Sequence, residues 1–510
     1  MLDKDNSLQQ VAKGTGIIFT GTLVGMLFGF AGRVMVARYW TQSEYGIFSL
    51  AFVILNLLVL LSTLGLREGS SRNIAYFRGK SEHEKVEDLL SSSLWLSLTT
   101  SLIFSFILFF ASDYIAINIF HEPSLALPLK IISWGIPFFT LIQVLASVFL
   151  GFGYPRPKAY FQDILRNLTF PILLVPVVIL WPYFINVFYA FLLSLAIPCI
   201  LFFIYATRSY LIKSIKLPKT PVTKELLYFS LPLLSVIMLN FLIRWTDTLM
   251  LGGFKTSIEV GLYNAAYPLA NFISVPLSAL ILIYMPIVSG LYARNELKNI
   301  RRDFSILTKW LSSATLPLFL FLFLFPQEVL NLLFGTEYHL AANVLRILSL
   351  GFIINNFMGP NSAALVAFGE TRFIMWATSA TTILNIALNL ALIPVYSIMG
   401  AAVASLASIT SINVMRCIKL YKVSMAQPVS KNLLKPAVVT VIISLGLKLL
   451  VTDINYLYLP LILILTYIVY GFSFLFTKSL EQEDWDMLLA MEKRTGIELK
   501  LIKSILKKFL

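Results

Sequence analysis

The sequence predicts an all-α polytopic membrane protein with about fourteen transmembrane helices. Of its 510 residues 58% are hydrophobic and only 13% are charged, and the mean hydropathy is +0.82. Apolar runs of roughly 20 residues, the length that a helix needs to cross a bilayer, recur from end to end. Because hydrocarbon leaves no backbone polar group solvated, such runs have to be helical. This composition excludes a soluble domain.

The spans and their loops define an orientation. The predicted spans are 15–37, 46–66, 89–111, 125–150, 161–181, 183–206, 227–251, 262–288, 306–326, 339–367, 371–393, 397–417, 433–452 and 456–477. Lys and Arg concentrate in the even-numbered loops, whereas the odd-numbered loops hold only Arg38 and Lys255. Excess Lys and Arg marks the cytoplasmic side. We therefore expect a multi-pass protein of the cell membrane with both termini in the cytoplasm, and the net charge of +14 does not indicate nucleic-acid binding.

An internal duplication divides the chain. SEYGIFSLAF (43–52) matches IEVGLYNAAY (258–267) at an offset of 215, and LALPLKIISWG (125–135) matches AANVLRILSLG (341–351) at an offset of 216. GFGYPR (151–156) matches AFGETR (367–372) at that second offset. This duplication predicts two six-helix repeats. We expect them to be parallel, because each has an even number of spans and both therefore enter the membrane from the same side. The predicted segments are a bundle at 1–206, a cytoplasmic linker at 207–226, a bundle at 227–425, spans 13 and 14 within 433–477, and a tail at 478–510.

The tail has a different pattern from the spans. Ile497, Leu501, Ile505 and Phe509 fall on one helical face, with lysines elsewhere. This predicts a basic amphipathic helix that lies on the cytoplasmic membrane surface. A helix packed against cytoplasmic loops is an equally good interpretation.

Three polar residues interrupt the span at 227–251. Asn240, Arg244 and Asp247 are spaced by four and three, which places them on one helical face. Charge inside a span is costly and is usually found facing a polar cavity or a partner. One interpretation is a structural pair of Arg244 with Asp247. The other assigns Arg244 and Asn240 to substrate binding and Asp247 to the binding of a coupling ion.

Further cations lie within spans and towards their outer ends: Arg33, Lys130 and Arg346. Because the positive-inside bias disfavours cations there, we expect a cavity that attracts anions, in which Arg suits phosphate through its forked donors. The alternative is that each side chain extends to a lipid headgroup at the surface. The glycines at 21, 25 and 29, spaced by four, predict close helix packing.

Several sequence motifs that are typical of soluble enzymes are incomplete or absent. Gly79, Lys80 and Ser81 end like a nucleotide-binding loop, but Ile74 stands where the leading glycine belongs. The three histidines and two cysteines have no metal-ligand or redox spacing. The N-terminus lacks a cleavage signal, so we expect the first span to be retained. We expect no catalytic residues, no metal and no cofactor, with transport driven by Na⁺, by H⁺, by the membrane potential or by downhill substrate flow.

Four stretches carry a family resemblance: ARYWTQSEYGIFSLA (37–51), LGLREGSSRNIA (64–75), LLFGTEYHLAANVLRILSLGF (332–352) and ALVAFGETR (364–372). Over about residues 10–425 the chain resembles the polysaccharide-export branch of the MOP flippases. These are O-antigen (Wzx-type) transporters, related to MurJ-type lipid II flippases and MATE exporters. The resemblance implies two six-helix bundles around a central cavity. It also implies that spans 13 and 14 resemble the pair that forms a lipid-tail groove in MurJ-type members.

The expected function is a flippase that moves a polyprenyl-diphosphate-linked oligosaccharide from the cytoplasmic to the outer leaflet by alternating access. We expect it to be a monomer that contacts membrane lipids and works beside glycan-assembly enzymes. The main alternative is a MATE-like exporter of organic cations, which would favour acids over arginines in the cavity. A glycan polymerase or ligase is a third possibility, and the short outer loops argue against it.

Overall fold

A computed structural model describes residues 2–209, 220–428, 431–450, 456–479 and 481–484. These residues form helices joined by short connections, and no β-strand is found among them. Eleven of the described helices are long and apolar enough to cross a membrane, and the number rises to 13 if each of two bent helix pairs counts as one span. The predicted all-α fold of a multi-pass membrane protein is confirmed.

The chain divides into two compact units, Met1–Asn264 with Asn389–Ile398, and Ala265–Leu388 with Met399–Leu510. The helices of the first unit are α1 (Leu2–Tyr39), α2 (Gln42–Thr63), α3 (Leu66–Gly79), α4 (His83–Tyr114), α5 (Ala126–Ser133), α6 (Gly135–Gly151), the single turn α7 (Pro155–Pro157), α8 (Arg166–Leu180), α9 (Ile185–Arg208) and α10 (Thr220–Phe254). A π-helix, Lys158–Leu165, leads directly into α8. Helix α11 (Ser257–Asn271) continues from the first unit into the second.

The second unit contains the remaining helices. They are α12 (Val275–Ala293), α13 (Leu297–Leu324), α14 (Pro326–Leu333), α15 (Ala342–Phe357), α16 (Asn361–Ala367), most of α17 (Thr371–Ser424), α18 (Lys431–Leu450) and α19 (Leu459–Phe476). The predicted division into repeats at 206 and 227 stays a prediction, because a compact unit and a sequence repeat are different things. By its contacts α10 belongs with the first unit.

Helix α17 is longer than one membrane crossing. Its 54 residues would extend about 80 Å if straight, and it breaks at Ser397, whose φ of 48° and ψ of −130° are not helical. Lys255 donates to the Pro394 carbonyl oxygen at 3.0 Å, and Ser397 donates to Glu259 at 3.3 Å. The break lies at the first residue of the predicted span 397–417, close to the end of the span 371–393. The total of fourteen stays a prediction, because it requires α17 to count as two spans.

Glycines bring α1 against the π-helix and α8. In order along the two elements, Gly21 meets Ala159, Gly25 meets Asp163, Gly29 meets Asn167 and Gly32 meets Phe170. A Cβ on Gly25 would collide with the carbonyl oxygen of Asp163. The predicted close packing is therefore confirmed. The parallel register places Arg166 about one helical turn before Arg33 along the direction of the two helices.

Reciprocal glycines join the start of α2 to the start of α11. A Cβ on Gly46 would collide with the carbonyl oxygen of Ser257, and a Cβ on Gly261 would collide with that of Gln42. The hydroxyls of Ser43 and Ser257 are hydrogen-bonded at 2.6 Å. Gly46 and Gly261 occupy equivalent positions of the sequence duplication, as do Gln42 and Ser257. The two copies of this duplicated segment thus meet through equivalent backbone positions on each side.

The beginning of the tail is anchored to α13. Lys309 is 1% exposed, and its ammonium group lies 2.7 Å from a carboxylate oxygen of Glu481 and 2.6 Å from one of Asp484. The rest of the predicted tail, including the face formed by Ile497, Leu501, Ile505 and Phe509, lies outside the described residues. So do residues 210–219 of the predicted linker.

Candidate functional site

Arg33 of α1 and Arg244 of α10 come together at a pair of aromatic rings. The guanidinium of Arg33 lies 4.6 Å from the ring centroid of Phe52, and that of Arg244 lies 5.8 Å from the ring of Trp245. The two rings are in edge contact, 6.0 Å between centroids. Arg33 is half-buried and Arg244 is exposed, and the two positive charges act on each other. Asn240, one turn earlier on α10, is exposed and donates to a backbone carbonyl of its own helix.

A third arginine, Arg166, belongs to the same group. Its guanidinium lies 4.5 Å from the ring centroid of Phe139 and donates to the side-chain oxygen of Asn167 at 3.1 Å. Its charge acts on that of Arg33. The Nε atom is buried and has no hydrogen-bond partner among the described residues. A buried donor without a partner is costly and is the kind of group that a ligand satisfies.

Arg33, Arg166 and Arg244, which we call the arginine group, are not neutralised by the described carboxylates near them. Within the described residues, none of Arg33, Arg166 and Arg244 forms an ion pair. Asp163, the carboxylate nearest in sequence to Arg166, pairs with Lys158 at 3.3 Å and accepts a hydrogen bond from Thr22 at 3.2 Å. Three arginines around aromatic rings in membrane-spanning helices form a site suited to an anion, because like charges held in a poorly solvated place favour a negative ligand.

Asp247 lies in a separate polar cluster. It is 1% exposed, and its carboxylate accepts hydrogen bonds from the Tyr263 hydroxyl at 2.5 Å and the Asn389 amide at 2.7 Å. Neither of these two partners is Arg244, and the structural pair of Arg244 with Asp247 stays one of the two interpretations. The described chain also brings together no three His, Cys, Asp or Glu side chains that could hold a metal.

Lys130 and Arg346 are placed differently from Arg33 and Arg244. The ammonium of Lys130 forms an ion pair with Asp113 at 2.7 Å, so its charge is balanced locally. Arg346 lies in the second unit, where it donates to the Phe323 carbonyl oxygen at 3.1 Å and to Asn343 at 2.7 Å. The structure brings Arg33 and Arg244 together and adds Arg166. The substrate-binding roles of all these residues stay predictions.

The second unit contains an apolar cavity of about 320 Å³ between α13, α15 and α18. Its walls are formed by aliphatic and phenylalanine side chains, among them Phe319, Phe357 and Val438. Helix α18 corresponds to the thirteenth predicted span. A hydrocarbon chain fits such a lining, because burial of apolar surface drives its binding.

Comparison with known proteins decides the family. Residues 11–291, more than half of the chain, match the sequence profile described as polysaccharide biosynthesis protein. The chain belongs to the polysaccharide biosynthesis protein family. Residues 232–391 also match the MatE profile. The resemblance to the polysaccharide-export branch of the MOP flippases is thereby confirmed.

The chain is also similar to individual known proteins. The chain is 24% identical to stage V sporulation protein B of Bacillus subtilis over 444 residues, which is 81% of this chain and 84% of that protein. It is 28% identical to the probable low-salt glycan biosynthesis flippase Agl15 of Haloferax volcanii over 169 residues, 32% and 35% of the two chains. Lipid II flippase MurJ in an inward closed conformation superposes with a TM-score of 0.70 at 19% identity, covering 89% of this chain and 98% of that one.

The site residues that are predicted from the sequence do not include Arg166. It lies inside the predicted span 161–181, so the signal that identifies Arg33 and Arg244 was available for it as well. The span begins just after the cytoplasmic loop that holds Arg156 and Lys158, and a cation close to such a loop has a ready explanation in the positive-inside rule. Only the contact of α1 with α8 shows that Arg166 lies beside Arg33.

Proposed function

We propose that this protein is a flippase that carries a polyprenyl-diphosphate-linked oligosaccharide, a precursor of a polysaccharide, O-antigen or S-layer glycan, from the cytoplasmic to the outer leaflet by alternating access. The observation that carries the proposal is the group formed by Arg33, Arg244 and Arg166, which the described carboxylates leave without ion pairs. Family membership and the flippase names of its relatives support the same function.

The chemistry of the substrate explains why a protein is needed. A diphosphate with attached sugars cannot enter hydrocarbon unaided, because moving a charge out of water is very unfavourable. Guanidinium forks match phosphate oxygens in a bidentate geometry and replace the lost hydration. Arg33 and Arg244 come from different helices, so an anion that bridges them would also hold α1 and α10 together.

The polyprenyl tail requires a different surface. We assign it to the apolar cavity between α13, α15 and α18, whose lining includes Phe319 and Val438. The position of α18 agrees with the groove that the family resemblance implies for spans 13 and 14.

The site would operate in the cell membrane with both termini in the cytoplasm, as the loop charges indicate. This orientation places the reciprocal contact of Gly46 and Gly261 at the outer end of the helices. Glycan-assembly enzymes would supply the substrate at the cytoplasmic face. We propose that the working form is a monomer.

A flux measurement tests the function. The purified protein is reconstituted in vesicles that contain a fluorescent polyprenyl-diphosphate oligosaccharide, and a membrane-impermeant glycosidase reports which glycans become accessible. We expect glycans to become accessible in vesicles that contain the protein and to stay inaccessible in protein-free vesicles, because moving a charged headgroup into hydrocarbon is very unfavourable. The control lipid has the same glycan on a neutral ether linkage. Equal transfer of both lipids would contradict recognition of the diphosphate.

We propose Asp247 as the residue that binds the coupling ion, Na⁺ or H⁺. A buried carboxylate surrounded by Tyr263 and Asn389 offers oxygen ligands or a proton site, and intramembrane acids often serve such a role. Asp247→Asn should reduce the transfer rate under an ion gradient to the rate without a gradient. Initial rates in vesicles with imposed Na⁺ or H⁺ gradients measure this.

The matched control for Asp247 is Asp113→Asn, because Asp113 is an acid of the same unit that pairs with Lys130 instead. We expect the control to retain its response to the gradient. If Asp247→Asn also retained the full response, Asp247 would have no part in coupling.

The MATE-like alternative is less well supported, although residues 232–391 match that profile. An exporter of organic cations needs a negative site, whereas the arginine group is positive. A drug-accumulation assay separates the two functions: we expect expression of this protein to leave the accumulation of organic cations unchanged.

A further inference from the structure

The arginine group carries more positive charge than a diphosphate can balance. When a diphosphate joins a lipid to a sugar, each phosphate keeps one ionisable oxygen and therefore one negative charge. Arg33 and Arg244, which flank Phe52 and Trp245, can balance those two charges one for one. Arg166 then remains as an additional cation.

Asp163 does not remove this excess. Its carboxylate is close enough to act on the charge of Arg166, but its ion pair is with Lys158 at 3.3 Å. Lys158, Asp163 and Arg166 together therefore carry one net positive charge. Lys158 and Asp163 are largely buried, with side-chain exposures of 20% and 12%, so solvent screens this charge poorly.

The contacts of Arg166 set it apart from the other two arginines. Its ring partner is Phe139 on α6, whereas Arg33 and Arg244 share the pair Phe52 and Trp245. The register of α1 against α8 places Arg166 about one helical turn before Arg33. This separation suits a group one sugar away from the diphosphate. The buried Nε atom of Arg166, which has no hydrogen-bond partner among the described residues, supplies a donor for that group.

We propose that Arg166 determines specificity by binding a negatively charged group on the glycan, so that the preferred substrate is an acidic oligosaccharide. The inference rests on the proposed flippase function and specifies its substrate class. The ligand is an oxyanion, either the carboxylate of a uronic acid or a phosphate on a sugar, because both offer paired oxygens to a guanidinium fork. A neutral glycan would leave the net positive charge of Lys158, Asp163 and Arg166 without a counter-charge.

The experiment compares three polyprenyl-diphosphate substrates that differ in one sugar: glucose, glucuronic acid and glucose 6-phosphate. Initial transfer rates are measured in vesicles that contain the full-length protein. We expect the wild type to transfer at least one acidic substrate about tenfold faster than the neutral one, the scale of one hydrogen bond to a charged group. Whether the carboxylate or the phosphate is preferred identifies the oxyanion.

Arg166→Gln should remove this preference, so that the ratio of the acidic rates to the neutral rate falls to about one. Lys158→Gln provides a second variant that leaves Arg166 in place, because it releases Asp163 to balance Arg166; it should lower the preference as well. Arg166→Lys should retain part of it. Folding of each variant is checked by its thermal unfolding in detergent.

Two outcomes would overturn the proposal. Equal wild-type rates for neutral and acidic substrates would show that the protein does not recognise an acidic group on the glycan. This result does not depend on the folding of any variant. A loss in Arg166→Gln that is equal for all three substrates would assign Arg166 to the diphosphate. Wild-type transfer of the neutral substrate tests the proposed function separately, since failure of that function would abolish transfer of every substrate.

Discussion

Replacing Arg33 and Arg244 together by glutamine should abolish transfer of a diphosphate-linked glycan while the protein still inserts into the membrane. Each variant side chain keeps polar character but loses the charge and the fork that match a phosphate. One charged hydrogen bond accounts for about tenfold in affinity, so loss of two forks should reduce transfer by at least about 100-fold. The glycosidase-accessibility assay in reconstituted vesicles measures the rate.

The matched control for this double variant is Lys130→Gln with Arg294→Gln, which removes the same number of charges. Lys130 pairs with Asp113, and Arg294 pairs with Glu296 at 3.1 Å, so neither belongs to the arginine group. We expect the control to keep at least about half of the wild-type rate. Undiminished transfer in the Arg33 and Arg244 variant would remove the cationic mechanism, whatever the control showed.

The sequence predicts residues of this site where a charged residue interrupts an apolar run. Arg33 and Arg244 stand out because a charge within an apolar run needs a structural reason. Arg166 carries the same signal, but its closeness to a basic loop offers a second explanation. Which explanation holds depends on the contact of α1 with α8, and a glycine pattern predicts that α1 packs closely without naming the helix that it meets.

A charged residue within a span is easy to find in the sequence, but the residue that neutralises it is harder to predict. Lys130 resembles Arg33 in the sequence, yet Asp113, from a different helix, neutralises it. Asp247 is three residues from Arg244 and could reach it along the helix, but its carboxylate is bonded to Tyr263 and Asn389. In both cases the partner comes from a different helix, so the pairing follows from tertiary packing rather than from spacing along one helix.

The duplication has a structural consequence that bears on transport. Gly46 and Gly261 are equivalent in the two repeats, and each contacts the carbonyl that is equivalent to the one contacted by the other. Small residues allow two backbones to touch closely over a short length. Because both contacts lie at the predicted outer end, a flippase that works by alternating access has to separate them before a headgroup can leave on that side.

A disulfide between Ser43→Cys and Ser257→Cys should therefore stop transfer. The two hydroxyl oxygens are 2.6 Å apart, so thiols at these positions are close enough to join with little backbone movement. We expect oxidation to lower the transfer rate by at least about tenfold and a reductant to restore it, since the bond would hold the start of α2 against the start of α11. Rates are measured before oxidation, after oxidation and after reduction.

The pair Ser70→Cys and Ser93→Cys is the matched control. Its hydroxyl oxygens are 2.7 Å apart and join α3 to α4 within the first repeat, which alternating access moves as one body. We expect oxidation of this pair to leave the transfer rate nearly unchanged. If oxidised Ser43→Cys with Ser257→Cys transferred at the full rate, with the disulfide verified by mass spectrometry, the reciprocal glycine contact would not open during transport. The glycan would then have to leave by another route.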